Sequence, residues 1–364
     1  MRMATIFVCL AMLVHGAGCS RGRPEPSTPL VSAAQLPQTD VLPYPDGPIV
    51  AGRNYVYCAT FQLAWDKVRE QVDGKPVLLA GSPEMATRLN EHHSDAFHLS
   101  PESYLAMAGR TDQGIVAKIR ETMADRFPNA TLGVPDPPRD TVLYIYSYLS
   151  RNMPFAEDFE TPSSIEFHAA GRIRQVPAFS ATFDPDKAKD RAWRKQVTIL
   201  DYRDDDDFVL RLNTTLEDDE LILAKVNPEG TLAATLEAVE RRVKAAGEKS
   251  RGDEASMPEE GDHLQVPMIS LGVERDYPEV TKREFQNSQL PDLGIGEARQ
   301  GIRFYLDQRG ARLESRSGVL MVTTSEVRRS FIFDKAFLLY MKRKSASAPY
   351  FAMWIGNAEL LKQP

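Results

Sequence analysis

Three histidines, His92, His93 and His98, lie close together in a stretch that also carries carboxylates. Imidazole and carboxylate groups at this density could bind a zinc ion. Their spacing does not fit the pair of histidines, four residues apart on one helix, of a zinc protease, and His168 and His263 are isolated. A polar surface loop is therefore the preferred interpretation. A metal-dependent hydrolase that uses the three histidines is a remote alternative, and we predict neither a metal nor another cofactor.

Other catalytic motifs are missing from the sequence. No G-x-S-x-G nucleophile elbow occurs. The pair Gly294 and Gly296 lacks the third glycine and the preceding strand of a phosphate-binding loop. Cys58 follows an apolar, strand-like run, which indicates a buried thiol and not a nucleophile. We predict that the protein is not an enzyme.

The N-terminal residues 1–19 are typical of an export signal. Arg2 precedes an apolar core, and Gly16, Ala17 and Gly18 lead into Cys19 as in the lipobox of bacterial lipoproteins, whose cysteine is acylated. We therefore predict lipidation of Cys19 and a lipoprotein anchored in the membrane at the cell surface or in the periplasm, with plain secretion as the alternative. No later stretch is apolar for long enough to span a bilayer.

Composition limits the partners and the means of stabilisation. The net charge is −7 and the pI about 5.5, so we expect no nucleic-acid partner. The acidic runs 204–207 and 217–220 indicate solvated hairpin turns. Once Cys9 leaves with the signal and Cys19 carries lipid, Cys58 has no partner for an intrachain disulfide. Stability must come from a large apolar core, and we expect a monomer.

The pattern along the chain predicts a proline-rich tether over residues 20–50, followed by a single domain over 51–364. Apolar residues at helical spacing predict helices over 61–72, 101–126 and 230–246. The apolar run 141–149 predicts a strand that is buried on both faces. Further strands are predicted at 165–168, 173–183, 196–202, 208–213, 221–226, 264–273 and 299–307. This order indicates an α+β fold with a large mixed or antiparallel sheet.

Several segments, taken in this order, resemble the serpins over residues 54–364. Residues 54–64 resemble the strand that enters helix B, and 143–155 the N-A-I-Y-F-K-G-x-W segment. Residues 167–179, with Val176-Pro177, are similar to the F-x-x-x-G-x-x-x-V-P stretch. The other matching segments are 197–242, 266–271, 333–337 and 353–356. The resemblance implies a serpin-like fold with a large central mixed β-sheet, additional sheets and a reduced set of helices, because helix A and part of the front are missing.

The resemblance also places two functional regions. The polar residues of the family's shutter match Cys58, Ile145 and Gln300, which predicts a largely apolar shutter. The reactive loop would lie near 310–330. Its insertion hinge would comprise Gly310, Ala311, Arg312, Leu313, Glu314, Ser315, Arg316 and Ser317, and its scissile bond would join Thr324 and Ser325.

An inserting strand needs small side chains at alternate, inward positions. Counted from Gly310, the inward set begins with Ala311, whereas the outward set carries charges at Arg312, Glu314 and Arg316. The resemblance thus implies a serine-protease inhibitor whose loop is both bait and insertable strand, with a serine protease as its partner. Two alternatives stay open: the segment 311–324 is a permanent sheet strand, or the protein is a non-inhibitory binding module with the same fold.

Overall fold

The computed structural model describes residues 29–130, 132–136, 143–184, 188–247, 256–312 and 329–363. Within these ranges the α-helices are α1 (Thr60–Glu70), α2 (Glu84–Glu91), α3 (Ile115–Arg126), α4 (Ala188–Gln196) and α5 (Leu232–Gly247). The helices predicted near 61–72 and 230–246 are confirmed as α1 and α5. Each buries one apolar stripe, for example Leu232, Leu236 and Val239 of α5.

The described chain has more residues in strands than in helices. In chain order they are β1 (Val31–Ser32), β2 (Thr39–Leu42), β3 (Asn54–Cys58), β4 (Tyr104–Arg110), β5 (Leu143–Leu149), β6 (Met153–Pro154), β7 (Glu160–Ala169), β8 (Arg172–Thr182), β9 (Val197–Asp204), β10 (Asp207–Leu212), β11 (Asp219–Lys225), β12 (His263–Pro267), β13 (Ile269–Asp276), β14 (Arg283–Glu284), β15 (Gly294–Ile295), β16 (Arg299–Asp307), β17 (Gly310–Arg312), β18 (Ser330–Ile332), β19 (Phe337–Arg343) and β20 (Phe351–Ile355).

Three sheets carry the core. The largest has the order β2-β3-β20-β19-β11-β10-β9, the second β1-β13-β16-β17-β6 and the third β18-β12-β8-β7. Parallel pairs (β2 with β3, β1 with β13, β12 with β18) occur beside antiparallel ones, so the sheets are mixed. All residues of β3 and β20 are buried, as expected for strands covered on both faces. The predicted α+β fold with a large mixed sheet is confirmed.

Two predictions for the front half are wrong. Residues 101–126 form the strand β4 and then α3, because Gly109 and Gly114 interrupt the apolar spacing that suggested one helix. The strand β5 is only half-buried throughout and pairs with β4 in a separate two-stranded sheet. Its side chains are apolar because each face covers a different cluster. Tyr144, Tyr146 and Tyr148 pack against the cluster of α3, and Ile145 packs against the cluster of α1.

The predicted boundary of the tether at residue 50 is also wrong. The short strand β1 extends the second sheet beside β13, and β2 extends the largest sheet beside β3. Val41 in β2 is buried, and Arg53 holds Asp40 through two hydrogen bonds of 2.9 Å. Prolines in this stretch lie between the strands, and their number hid the short β-pattern from sequence analysis.

Residues 1–28, with Cys19, lie outside the described residues. Within the described ranges, the helices are all too short or too polar to cross a bilayer.

Shortening the chain tests this boundary. A chain that begins at residue 51 should lose about 2 kcal/mol or more of unfolding free energy relative to one that begins at residue 29, because it loses the buried side chain of Val41 and the strand that covers β3. Urea denaturation of the two chains measures the difference. Equal denaturation midpoints would show that residues 29–50 are a tether after all.

Candidate functional site

The candidate site is the point where β17 enters the second sheet. β17 lies between β16 and β6 and is antiparallel to both. Ala311 is opposite Leu306 on one side and Met153 on the other, and Gly310 is opposite Asp307 and Pro154. The N-terminal end of the predicted reactive loop therefore already occupies a strand position between two neighbours.

Gly310 is required by this geometry. Its φ is +136°, and a Cβ atom at this position would lie 2.3 Å from the carbonyl oxygen of Met153. Only glycine has no Cβ to clash at such a close backbone approach. Ala311, the next residue, is 1% exposed, so its small side chain points into the core.

The turn before Gly310 is tied to the chain that follows β6. The amide of Phe155 donates to the carbonyl of Arg309 (2.8 Å), and the amide of Phe159 to that of Gln308 (2.9 Å). Phe155 and Phe159 are buried, and their rings meet edge-to-face at 4.9 Å. The segment from Phe155 to Phe159, beside β17, is thus held in place by backbone hydrogen bonds and by aromatic packing.

A buried ionic cluster around Asp219 lies next to Met153 of β6. Tyr350 donates to the carboxylate of Asp219 (2.9 Å), and its hydroxyl lies 3.6 Å from the sulfur of Met153. Arg151 and Arg343 approach the same carboxylate at 3.3 and 3.7 Å. Asp219 belongs to the acidic run that was predicted to be a solvated turn, but its side chain is 2% exposed. That prediction is therefore wrong for Asp219, which pairs with these arginines.

Of the other predicted hinge residues, only the backbone of Arg312 is described; it is opposite Tyr305. Leu313, Glu314, Ser315, Arg316 and Ser317, and the predicted scissile pair Thr324 and Ser325, lie outside the described residues.

Two of the residues matched to the family's shutter, Cys58 and Gln300, lie in a polar network, whereas the match predicted largely apolar surroundings. Gln300 in β16 donates to the carbonyl of Cys58 (3.0 Å) and to the hydroxyl of Thr60 (2.7 Å), and it accepts a hydrogen bond from Tyr277 (2.7 Å). Ser147 in β5 donates to the carbonyl of Thr60. Burial raises the pKa of the Cys58 thiol, so this side chain stays neutral.

The sequence match to the family named Cys58, Ile145 and Gln300, and it therefore missed the other residues of this network. Ile145 packs against apolar neighbours and contributes no hydrogen-bonding side chain, whereas its second neighbour Ser147 does. Thr60 and Tyr277 carried no signal in the sequence that pointed to a shared site. Thr60 begins α1 and Tyr277 follows β13, and the neighbouring Phe61 ring packs against that of Tyr277 at 4.3 Å.

Replacing Gln300 tests this hydrogen-bond network. Gln300→Leu removes the acceptor of the buried Tyr277 hydroxyl and the donor to Cys58, which should cost about 1–3 kcal/mol of unfolding free energy. Chemical denaturation measures the change. Gln286→Leu, at an exposed glutamine, is the matched control and should change stability by less than about 0.5 kcal/mol. Equal effects of the two substitutions would contradict the network.

The acidic run 204–207 forms the predicted hairpin turn between β9 and β10, but it is not simply solvated. Asp206 pairs with Lys225 (2.7 Å) and Lys335 (2.7 Å), and these two contacts lower its pKa to about 2. Lys225 is 4% exposed and also pairs with Asp334 (2.8 Å). Through these ion pairs the turn is linked to Asp334 and Lys335, which follow the predicted loop in the chain.

His263 in β12 lies beside β18, the strand that follows the predicted loop. Its Nδ1 is 3.2 Å from the hydroxyl of Thr182, and burial lowers its pKa. A histidine with a lowered pKa takes up a proton more readily in the unfolded chain, so protonation favours unfolding.

The free energy of unfolding should therefore fall as the pH is lowered through about 6.5, the usual histidine pKa. His263→Gln should reduce this fall, because glutamine does not titrate. Urea denaturation at about pH 7.5 and pH 5.5 compares the two proteins. If the difference between the two pH values is the same in both, His263 does not contribute to the pH dependence.

The three clustered histidines contact different partners. His92 lies 3.0 Å from Asp46, His93 2.7 Å from Arg69, and His98 3.3 Å from Ser345. In the ranges that the structure describes, no three metal-ligating side chains come together. The three imidazoles thus share no centre, which removes the geometric basis of the metal-dependent hydrolase alternative.

Comparison with known proteins gives matches at the level of structure alone. No family model matches the sequence, and no curated protein matches it. Serpin48, a highly specific serpin of the insect Tenebrio molitor, is similar with 14% identity over 85% of this chain and 92% of its own, at a TM-score of 0.46. Human thyroxine-binding globulin with bound thyroxine is similar with 12% identity over 84% of this chain and 92% of its own, at a TM-score of 0.49.

These TM-scores lie below 0.5, so the two likenesses by themselves carry no argument about this chain. The order and pairing of its strands do. The strand β3 enters α1, β16 leads through a turn to β17, and β19 and β20 close the largest sheet, in the order that the sequence resemblance implied. The described part of the chain thus agrees with the serpin-like fold that the sequence resemblance implied.

Proposed function

We propose that the protein is a serpin-like inhibitor of serine proteases that is exported and anchored through an acylated Cys19. The segment between β17 and β18 would be the bait, and it would also supply the strand that enters the second sheet after cleavage. The protein would act once per protease molecule and not as an enzyme. The sequence pattern at Gly16–Cys19 supports the anchor.

One observation carries the proposal. Gly310 and Ala311 are paired with strands on both sides, so they already have the neighbours that an inserted strand needs. Ala311 fills the inward position without a clash and is almost fully buried. Continued insertion would follow the same register along β16, which extends from Asp307 back to Arg299.

A second candidate is a non-inhibitory binding module, and one feature of β6 favours it. In the described part of the chain, β6 has only the residues Met153 and Pro154, both already paired with β17. In the described residues, the pairing of β17 with β6 ends at Ala311, whereas its pairing with β16 continues to Arg312. Because an unpaired edge leaves backbone groups without ladder hydrogen bonds, the free energy gained by insertion would be smaller.

Cleavage followed by melting separates the two candidates. The exported chain is nicked with a panel of serine proteases, and its melting temperature is measured before and after. We expect a rise in Tm upon cleavage within 313–328, together with a protease adduct that survives denaturing electrophoresis. Cleavage without a rise in Tm and without an adduct would support the binding module.

Substitutions at Ala311 serve as matched controls. Ala311→Glu would place an unpaired charge at a buried position and should abolish both the rise in Tm and the adduct while leaving the segment cleavable. Ala311→Ser keeps a small side chain and should retain both. If Ala311→Glu forms the adduct as well as the unaltered protein does, insertion at this position is not part of the function.

A further inference from the structure

The C-terminal end of the proposed bait segment is held by a buried carboxylate. The side chain of Asp262 has no exposed surface. Its Oδ1 accepts a hydrogen bond from Nε of Arg329 (3.1 Å), and its Oδ2 accepts one from Nη2 (2.6 Å). The carboxylate also accepts the amide of Glu259 at 2.8 Å. A forked arginine contact of this kind is both strong and directional.

The rest of Arg329 is engaged as well. Its carbonyl accepts the amide of His263 at 3.0 Å, so the backbone is already paired with β12. Its guanidinium lies 5.7 Å from the ring centre of Phe331 and 5.9 Å from that of Tyr202. The exposed fraction of the side chain is 23%. Neither the side chain nor the carbonyl is free to enter another protein's cleft.

The acidic turn between β9 and β10 supports the same position. The amide of Ser330 donates to the carboxylate of Asp205 (3.0 Å), and Tyr202 donates to the same oxygen (2.7 Å). Both polar groups of the Arg329–Ser330 peptide bond are thus paired: its carbonyl accepts from β12, and its N–H donates to this turn. We call Arg329, Ser330, Asp262 and Asp205 the distal anchor.

We propose that Asp262 is a positioning residue that sets the C-terminal limit of the protease-accessible segment and withholds Arg329 from trypsin-like proteases. Such a protease must take the arginine side chain into its own acidic pocket and bind the backbone on both sides in an extended form. Withdrawing Arg329 would leave the Asp262 carboxylate buried without its partner, which is costly. The role of Asp262 in limiting the bait segment rests on the proposed function. The protection of the Arg329–Ser330 bond from trypsin does not.

Mapping of tryptic cleavage sites tests the anchor without reference to inhibition. The native protein is digested briefly with trypsin, and new N-termini are identified by mass spectrometry. Cleavage of the Arg329–Ser330 bond should be at least about a hundredfold slower in the native protein than in the heat-unfolded chain, as expected for an arginine that must leave a buried pair. Comparable rates would overturn the proposal.

Two variants should make the Arg329–Ser330 bond, or the bond after Lys at position 329, accessible to trypsin. Asp262→Asn removes the charge that holds Arg329. Arg329→Lys keeps a residue that trypsin accepts but loses the forked contact, because an ammonium group cannot form it. Each should raise the cleavage rate after position 329 at least about tenfold in protein that circular dichroism shows to be folded. Glu259→Gln is the matched control: Glu259 is exposed and 3.8 Å from Arg329, so its loss should leave the rate unchanged.

The variants also distinguish positioning from general stability. If Asp262→Asn fails to fold, Arg329→Lys alone decides, since it leaves the buried carboxylate with a positive partner. Folded Arg329→Lys that is cleaved no faster than the unaltered protein contradicts the proposal. Failure to form a protease adduct would bear on the proposed function and would leave this result untouched.

Discussion

The structure depends on the close approach of two backbones at Gly310. The chain turns at Gln308 and Arg309, comes back beside β16, and passes so near the carbonyl of Met153 that no side chain fits at position 310. This contact places Ala311 in the core, between β16 and β6. The aromatic pair Phe155 and Phe159 keeps the neighbouring chain in place. The proposed insertion can begin only because this entry point is already formed.

The two ends of the segment 313–328 are held by different kinds of interaction. At the N-terminal end, backbone pairing and burial of a small side chain dominate, which suits a strand that is meant to extend. At the C-terminal end, the buried pair of Asp262 and Arg329 dominates, and its loss would leave a charge without a partner. Under the proposed function, cleavage would fall between these two ends. In the proposed insertion, the two residues of β6 would supply few ladder hydrogen bonds on that side.

Sequence analysis predicted the fold best where the apolar pattern was long and regular. The helix α5 and the strands from β8 to β11 were predicted within a few residues, because each buries a clear stripe or alternate face. The strands β1 and β2 were missed since they are short and lie among prolines. The strand β4 was predicted as part of a helix because it is short. Over a few residues, apolar side chains at mixed spacing fit the helical period and the strand period equally well.

For the candidate site, the sequence indicated Gly310 and Ala311 but not their neighbours. Met153, Tyr350 and Asp219 are separated by long stretches of chain, and only the packed sheets bring them together. The same holds for Asp262 and Arg329, since an isolated aspartate before a strand carries no sign of its burial. The buried polar groups were thus the least predictable part, because their partners are set by tertiary contacts.

Amide hydrogen exchange of residues 310–312 is the most direct test of the central claim. If β17 lies in the sheet as described, the amides of this strand that face β16 or β6 should exchange slowly, on the same scale as those of β16. Exchange at the rate of an unstructured chain would mean that the segment has no preformed entry into the sheet, and the proposed insertion would lose its starting point.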